Sequence, residues 1–121
     1  MANGINIRTA VIFWFITVGY MCAIFYLSSL TFALPELPAN SDKIIHIAIY
    51  IPLAFMFRLS LNRSGINKYL FTASFLAAGI YGVTDEAHQY FVPGRDSAVS
   101  DIVADFIGAL LGSYSAGLFR I

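Results

Sequence analysis

A chain of 121 residues is long enough for one domain, and 59% apolar against 12% charged residues puts it outside the composition of soluble domains. Seven basic and seven acidic residues balance to a formal net charge of zero, which excludes a nucleic-acid partner because no basic excess is available to neutralise phosphates. The lone Cys22 cannot form an internal disulfide and falls inside an apolar run, where it reads as a small packing residue.

The first apolar run covers residues 9–30 and follows Arg8. It is longer than the roughly 7–15-residue core of a secretory signal and ends without a small-x-small cleavage site, so it reads as an uncleaved span. Pro35 and Pro38 then remove backbone donors and make residues 31–40 an ordered or partly re-entrant loop. A second span is expected over 42–61, with Asn40 or Ser41 capping its free amides and Asp42 against its positive end. Pro52 inside it predicts a kink. After a polar turn from Asn62 to Asn67 comes a third span over 68–89. Val92-Pro93-Gly94-Arg95 carries the central Pro-Gly pair of a type II turn, and a fourth span covers 98–119. Segments of about 20 residues suit a hydrocarbon core about 30 Å thick. The fold class expected is an all-α integral membrane four-helix bundle, one domain over residues 1–121.

Four spans place both termini on one side. Arg8, Arg58, Arg63, Lys68 and Arg120 then share that side with no acid, while Lys43, Arg95 and all seven acids go to the other. An excess of Lys and Arg marks cytoplasmic loops, so the termini are expected inside and the acidic end outside a plasma membrane crossed several times.

That acidic end carries the candidate site. At helical periodicity Lys43, His46 and Tyr50 form one stripe. Asp85 and Gln89 form a second with Gly82, and Glu86 lies at its edge. Asp101, Asp105, Gly108 and Gly112 form a third, with Asp105 about 6 Å deeper than Asp101 at about 1.5 Å rise per residue. Ionisable groups inside membrane segments are costly, so three such stripes beside Arg95 point to a shared pocket. The expected roles are proton transfer by His46, Glu86 and Asp101, and ligand contacts from Lys43, Tyr50, Asp85, Gln89, Arg95 and Asp105. His46 with Glu86 or Asp85 makes an acid/base pair; the same groups with Asp101 or Asp105 offer donors for a divalent metal. No known metal or cofactor motif is present, and the cofactor is unknown from sequence. The bland alternative is that Lys43 and Arg95 neutralise nearby carboxylates and fasten helices together. His88 points away from the Gln89 stripe and reads as an interfacial or packed residue. Gly108-Ala-Leu-Leu-Gly112 allows close helix approach, first within the chain and alternatively in a homodimer.

Three spaced blocks carry a family resemblance: Ser41-Asp42-Lys43-x-x-His46-x-x-x-Tyr50, Asp85-Glu86-x-x-Gln89-x-Phe91-x-Pro93-Gly94-Arg95, and Ser100-Asp101-x-x-x-Asp105-x-x-Gly108-x-x-x-Gly112. In this order the chain resembles the VanZ-like family of small bacterial membrane proteins, whose members commonly carry Asn where this chain has Asp105. The resemblance implies a bacterial plasma-membrane protein and a link to reduced susceptibility to the glycopeptide teicoplanin. The partners it suggests are membrane lipid and a lipid-linked or cell-wall precursor. The competing expectation is a structural or assembly protein. Ion translocation is disfavoured because no acid lies near the inner surface to complete a path.

Overall fold

Helix satisfies every backbone polar group within its own segment, which is what an apolar run in hydrocarbon requires. The computed structural model describes residues 6–29, 41–93 and 98–119, and the regular structure within them is entirely helical. The elements are α1 (Ile7–Ser29), α2 (Ser41–Arg63), α3 (Leu70–Tyr90) and α4 (Val99–Ala116). Each overlaps one predicted segment. The loop at 31–40, caps from Asn40 or the Ser41 side chain, and Gly94 and Arg95 of the predicted turn lie outside the described residues.

Side-chain contacts fix an up-and-down order. Ser28 of α1 meets Asp85 of α3, and Lys43 of α2 meets Asp101 of α4. The amino end of α2 and the carboxyl end of α3 therefore share one end of the bundle, and Arg63 over the Phe13 ring marks the other. Both helices before and after the long chain reversal at 64–69 have defined ends. The last carbonyls of α2 are taken up by Gly65 and Ile66, whose amides donate to Asn62 and Leu61 at 3.1 Å each. Gly65 adopts φ 100°, the left-handed conformation this helix stop requires. Helix α2 continues through Pro52 as a single element.

Packing is most extensive between α2 and α4. An added Cβ on Gly108 would lie 2.5 Å from the Ile47 carbonyl oxygen, and one on Gly112 only 2.0 Å from that of Ile51. The close approach predicted from the small-residue spacing is thus realised inside the chain, backbone against side-chain-free backbone. Tyr50, Leu53, Ala54, Phe57, Ala78 and Ala109 fill the core around it. Outside, Phe15, Val18, Tyr26, Leu110 and Tyr114 are exposed, an apolar surface that a lipid environment would cover.

Helices α1, α2 from Asp42, and α4 are each long and apolar enough to cross a membrane. The predicted third span, α3, has the length at 21 residues but is not among them. Thr84, Asp85, Glu86, His88 and Gln89 occupy its last two turns and dilute its apolar character. Its buried face, from Ser74 through Gly82 to Gln89, is turned into the protein.

Candidate functional site

The polar stripes of α2, α3 and α4 meet at one end of the bundle. Lys43 lies in the first turn of α2 and pairs with Asp42 at 2.5 Å and with Asp101 Oδ1 at 2.6 Å. Asp101 lies in the first turn of α4, where the helix end favours an acid. His46 is one turn deeper than Lys43. Its Nδ1 lies 2.8 Å from Asp105 Oδ1 and its Nε2 lies 3.9 Å from Asp101 Oδ2. Since a carboxylate only accepts, this bond assigns the proton to Nδ1 and leaves the Nε2 side of the ring facing Asp101.

Sequence reasoning paired His46 with Glu86 or Asp85; its direct partner is Asp105. The reason is packing: α2 lies closest to α4, so the ring meets the acid one turn below Asp101 before it reaches α3. Glu86 is nonetheless close. One ligand-type atom each from His46, Glu86 and Asp101 lies within 4.8 Å of the others. Glu86 Oε2 also accepts the Ala98 amide at 2.7 Å. Helix α4 has no side-chain cap of its own, so a carboxylate from α3 does that work and locks the two helix ends together.

Behind these groups lies a buried layer. Asp105 is fully buried, and its Oδ2 has no hydrogen-bond donor among the described residues. Tyr50, 1% exposed, is in electrostatic reach of Asp85 and Asp105. Asp85 accepts a hydrogen bond from Ser28, whose oxygen in turn accepts from Gln89 Nε2 at 3.2 Å. Among the described members of the cluster, Lys43 and His46, with side chains 26% and 15% exposed, are the ones that open toward the surface. The six described candidates other than Tyr50 and Gln89 are Lys43, His46, Asp85, Glu86, Asp101 and Asp105, and the fold gathers them with those two at one end of the bundle. Arg95 lies outside the described residues.

Sequence reasoning missed Ser28, the contribution of α1. Its signal was a stripe of mostly small residues: Ala10, Thr17, Ile24 and Ser28 are the buried positions of that helix, at spacings of seven, seven and four. His88 stays outside the cluster, as its phase predicts. It stacks on Phe25 with ring centroids 4.2 Å apart and meets Ser29 Oγ at 2.8 Å.

Two cavities bear on access. One of about 350 Å³ runs between the carboxyl end of α3 and the amino end of α4, lined by Val83, Ala87, Tyr90, Phe91, Val99 and Ile102, with Glu86 in its wall. Of the described site residues Glu86 alone lines it, so the groove adjoins the cluster from the apolar side. A larger one, about 530 Å³, lies at the opposite end against Trp14, Phe15 and Ser64, remote from these groups.

No curated protein and no solved structure matches the chain. A family model described as VanZ/LLP1 does, over residues 6–120, a stretch that takes in all four helices and all three motif blocks. By that match across nearly its whole length, the chain belongs to the VanZ/LLP1 family.

Proposed function

We propose that this VanZ-like membrane protein binds or modifies the headgroup of a lipid or of a lipid-linked cell-envelope precursor. One observation carries the reading: Glu86 belongs both to the charged cluster and to the wall of an apolar groove of about 350 Å³. A ligand with an acyl chain and a polar head needs that adjacency, and pockets for such ligands combine apolar walls with a few convergent polar groups. Lys43 and His46, the exposed members, are placed to contact the head first. Their level of the bundle faces outward from the bacterial plasma membrane, because Arg8, Arg63 and Lys68 gather at the other. If the bound headgroup reacts, His46 held by Asp105 is the proton carrier and Glu86 the carboxylate beside it. Altered handling of a cell-wall precursor would change susceptibility to teicoplanin, which acts on that wall.

The test is to purify the protein with its native lipids and identify those retained by mass spectrometry. Lys43→Ala and Glu86→Gln variants with wild-type melting temperatures should lose the retained species, and their expression should no longer change teicoplanin susceptibility. Identical lipid profiles in wild type and both variants would overturn the proposal. A second reading, a purely structural cluster, is favoured by the ties themselves: Lys43 to Asp101 and His46 to Asp105 join α2 to α4, and Ser28 to Asp85 joins α1 to α3. It requires both substitutions to lower the melting temperature while the lipid content per folded molecule stays unchanged.

A further inference from the structure

We propose that His46, Glu86 and Asp101 form a binding site for one divalent transition-metal ion, of the Zn²⁺ or Mn²⁺ type. The three residues come from three helices, are separated by 40 and 15 positions in sequence, and bring one nitrogen and two carboxylates within 4.8 Å of one another. Bonds of about 2.1 Å around a common ion put neighbouring ligand atoms about 3.0–3.4 Å apart. Nε2 of His46 and Oδ2 of Asp101, at 3.9 Å, are already near that separation. The remaining closure, on the order of 1 Å, is within the reach of side-chain torsions.

The surroundings are those of a ligand set. With Nδ1–H of His46 donating to the Asp105 carboxylate, Nε2 faces Asp101, the outer-shell arrangement that orients metal-bound imidazoles. Asp101 divides its oxygens, Oδ1 on Lys43 and Oδ2 toward the imidazole. Glu86 is fixed through Oε2 by the Ala98 amide, so its carboxylate is positioned before any ligand arrives. An independent observation is the fully buried Asp105 Oδ2, which has no hydrogen-bond donor among the described residues. One nitrogen and two oxygen ligands without thiolate suit Zn²⁺ or Mn²⁺, and three protein ligands leave coordination positions open.

The ion also resolves a conflict of sign. Asp85, Glu86, Asp101 and Asp105 are all buried toward one end of the bundle, which opposes an anionic headgroup. A divalent cation there offsets the acids and presents its open positions to a phosphate or pyrophosphate oxygen. That role for the ion rests on the headgroup reading above, whereas the ion site itself does not; with the ion bound, Nε2 is a ligand and His46 is no longer the proton carrier.

The test uses purified full-length protein in detergent, stripped with EDTA, dialysed, and titrated with Mn²⁺ followed by electron paramagnetic resonance and with Zn²⁺ followed by calorimetry. The wild type should take up one ion per chain. His46→Ala, Glu86→Gln and Asp101→Asn should each weaken uptake at least about tenfold, and Asp105→Asn, with all three ligands in place, by about 10- to 100-fold. His88→Ala should match the wild type. A folded wild-type chain that binds neither ion at about 100 µM overturns the site, as does full affinity in all three ligand variants. Ion uptake with identical lipid profiles in wild type and Glu86→Gln would remove the headgroup reading and keep the metal site. Lipid retention by EDTA-stripped protein that takes up no ion would do the reverse.

Discussion

Two layers of polar side chains cross the bundle, and they are built from different chemistry. Toward the end where Trp14 and Ser64 meet, the groups are hydroxyls and one guanidinium. Thr17 Oγ1 meets Ser60 Oγ at 2.8 Å and also donates to the Phe13 carbonyl, Ser113 donates to the Phe71 carbonyl and contacts Ser74, and Arg58 donates to the Ser113 carbonyl. At the other end the groups are carboxylates, a lysine and an imidazole. A hydroxyl both donates and accepts, so a few of them on adjacent helices close on each other and on the backbone, with nothing left over. Carboxylates only accept. Gathering four of them leaves Asp105 Oδ2 without a donor among the described residues, at an electrostatic cost a structural joint does not require. The seam of hydroxyls reads as fastening and the acidic end as a site.

The substitution with the largest expected effect strikes the joint that both layers share. Gly112→Val sets a branched side chain where even a Cβ would lie 2.0 Å from the Ile51 carbonyl oxygen. Helices α2 and α4 must separate, and stability in detergent falls by about 3 kcal/mol, the upper end of overpacking costs. Thermal unfolding measures it; an unchanged melting temperature would show that the α2–α4 contact does not hold the bundle. Next comes Ser113→Ala, which removes the donor to Phe71 and the contact with Ser74. It should cost about 0.6–1.7 kcal/mol, the span measured for interhelical polar contacts in membrane proteins, and leave ligand retention per folded molecule unaltered.

Asp105→Asn should go the other way. The amide oxygen still accepts from His46, while one negative charge leaves the neighbourhood of Asp85 and Glu86. Stability is expected to stay level or rise by up to about 1 kcal/mol, the pattern of sites that trade stability for activity, while lipid or metal retention falls. A loss of more than about 2 kcal/mol in thermal unfolding would instead make Asp105 a structural partner of His46 and erase the contrast between the two layers.

How much of this was legible in the sequence follows the same division. Four apolar runs separated by polar turns gave the helices, because helix is the only local solution for such runs. The charged end was legible too: ionisable residues are rare in such segments, and Lys43, His46, Asp101 and Asp105 fall at helical spacing, so each had a face before any partner was known. The partners were not legible. Whether His46 meets Glu86 or Asp105 depends on how far α2 sinks toward α4, and that depth is set by Gly108 and Gly112 against Ile47 and Ile51, a contact between backbones. Ser28 escaped notice because serine near a helix end is common, and its role appears only once α1 lies beside α3. The polar face of α3 was read as a stripe, yet the same residues dilute the apolar character that its assignment as a membrane span assumed.

The smallest effect is expected at the second histidine. His88 lies two residues from Glu86 and one from Gln89, so proximity in sequence alone would place it in the site. Helical phase does not: 200° beyond Glu86 at about 100° per residue, it leaves the bundle interior. There it stacks on Phe25 and meets Ser29, both on α1. These contacts are exposed, and exposed substitutions usually stay within about 0.5 kcal/mol. His88→Gln should therefore match the wild type in melting temperature, in lipids retained and in ion uptake, whereas His46→Gln loses the latter two. Equal losses from both substitutions would mean that imidazole chemistry extends beyond the buried cluster to the α1 side of α3, and that the acidic end is open on two faces of α3 instead of one.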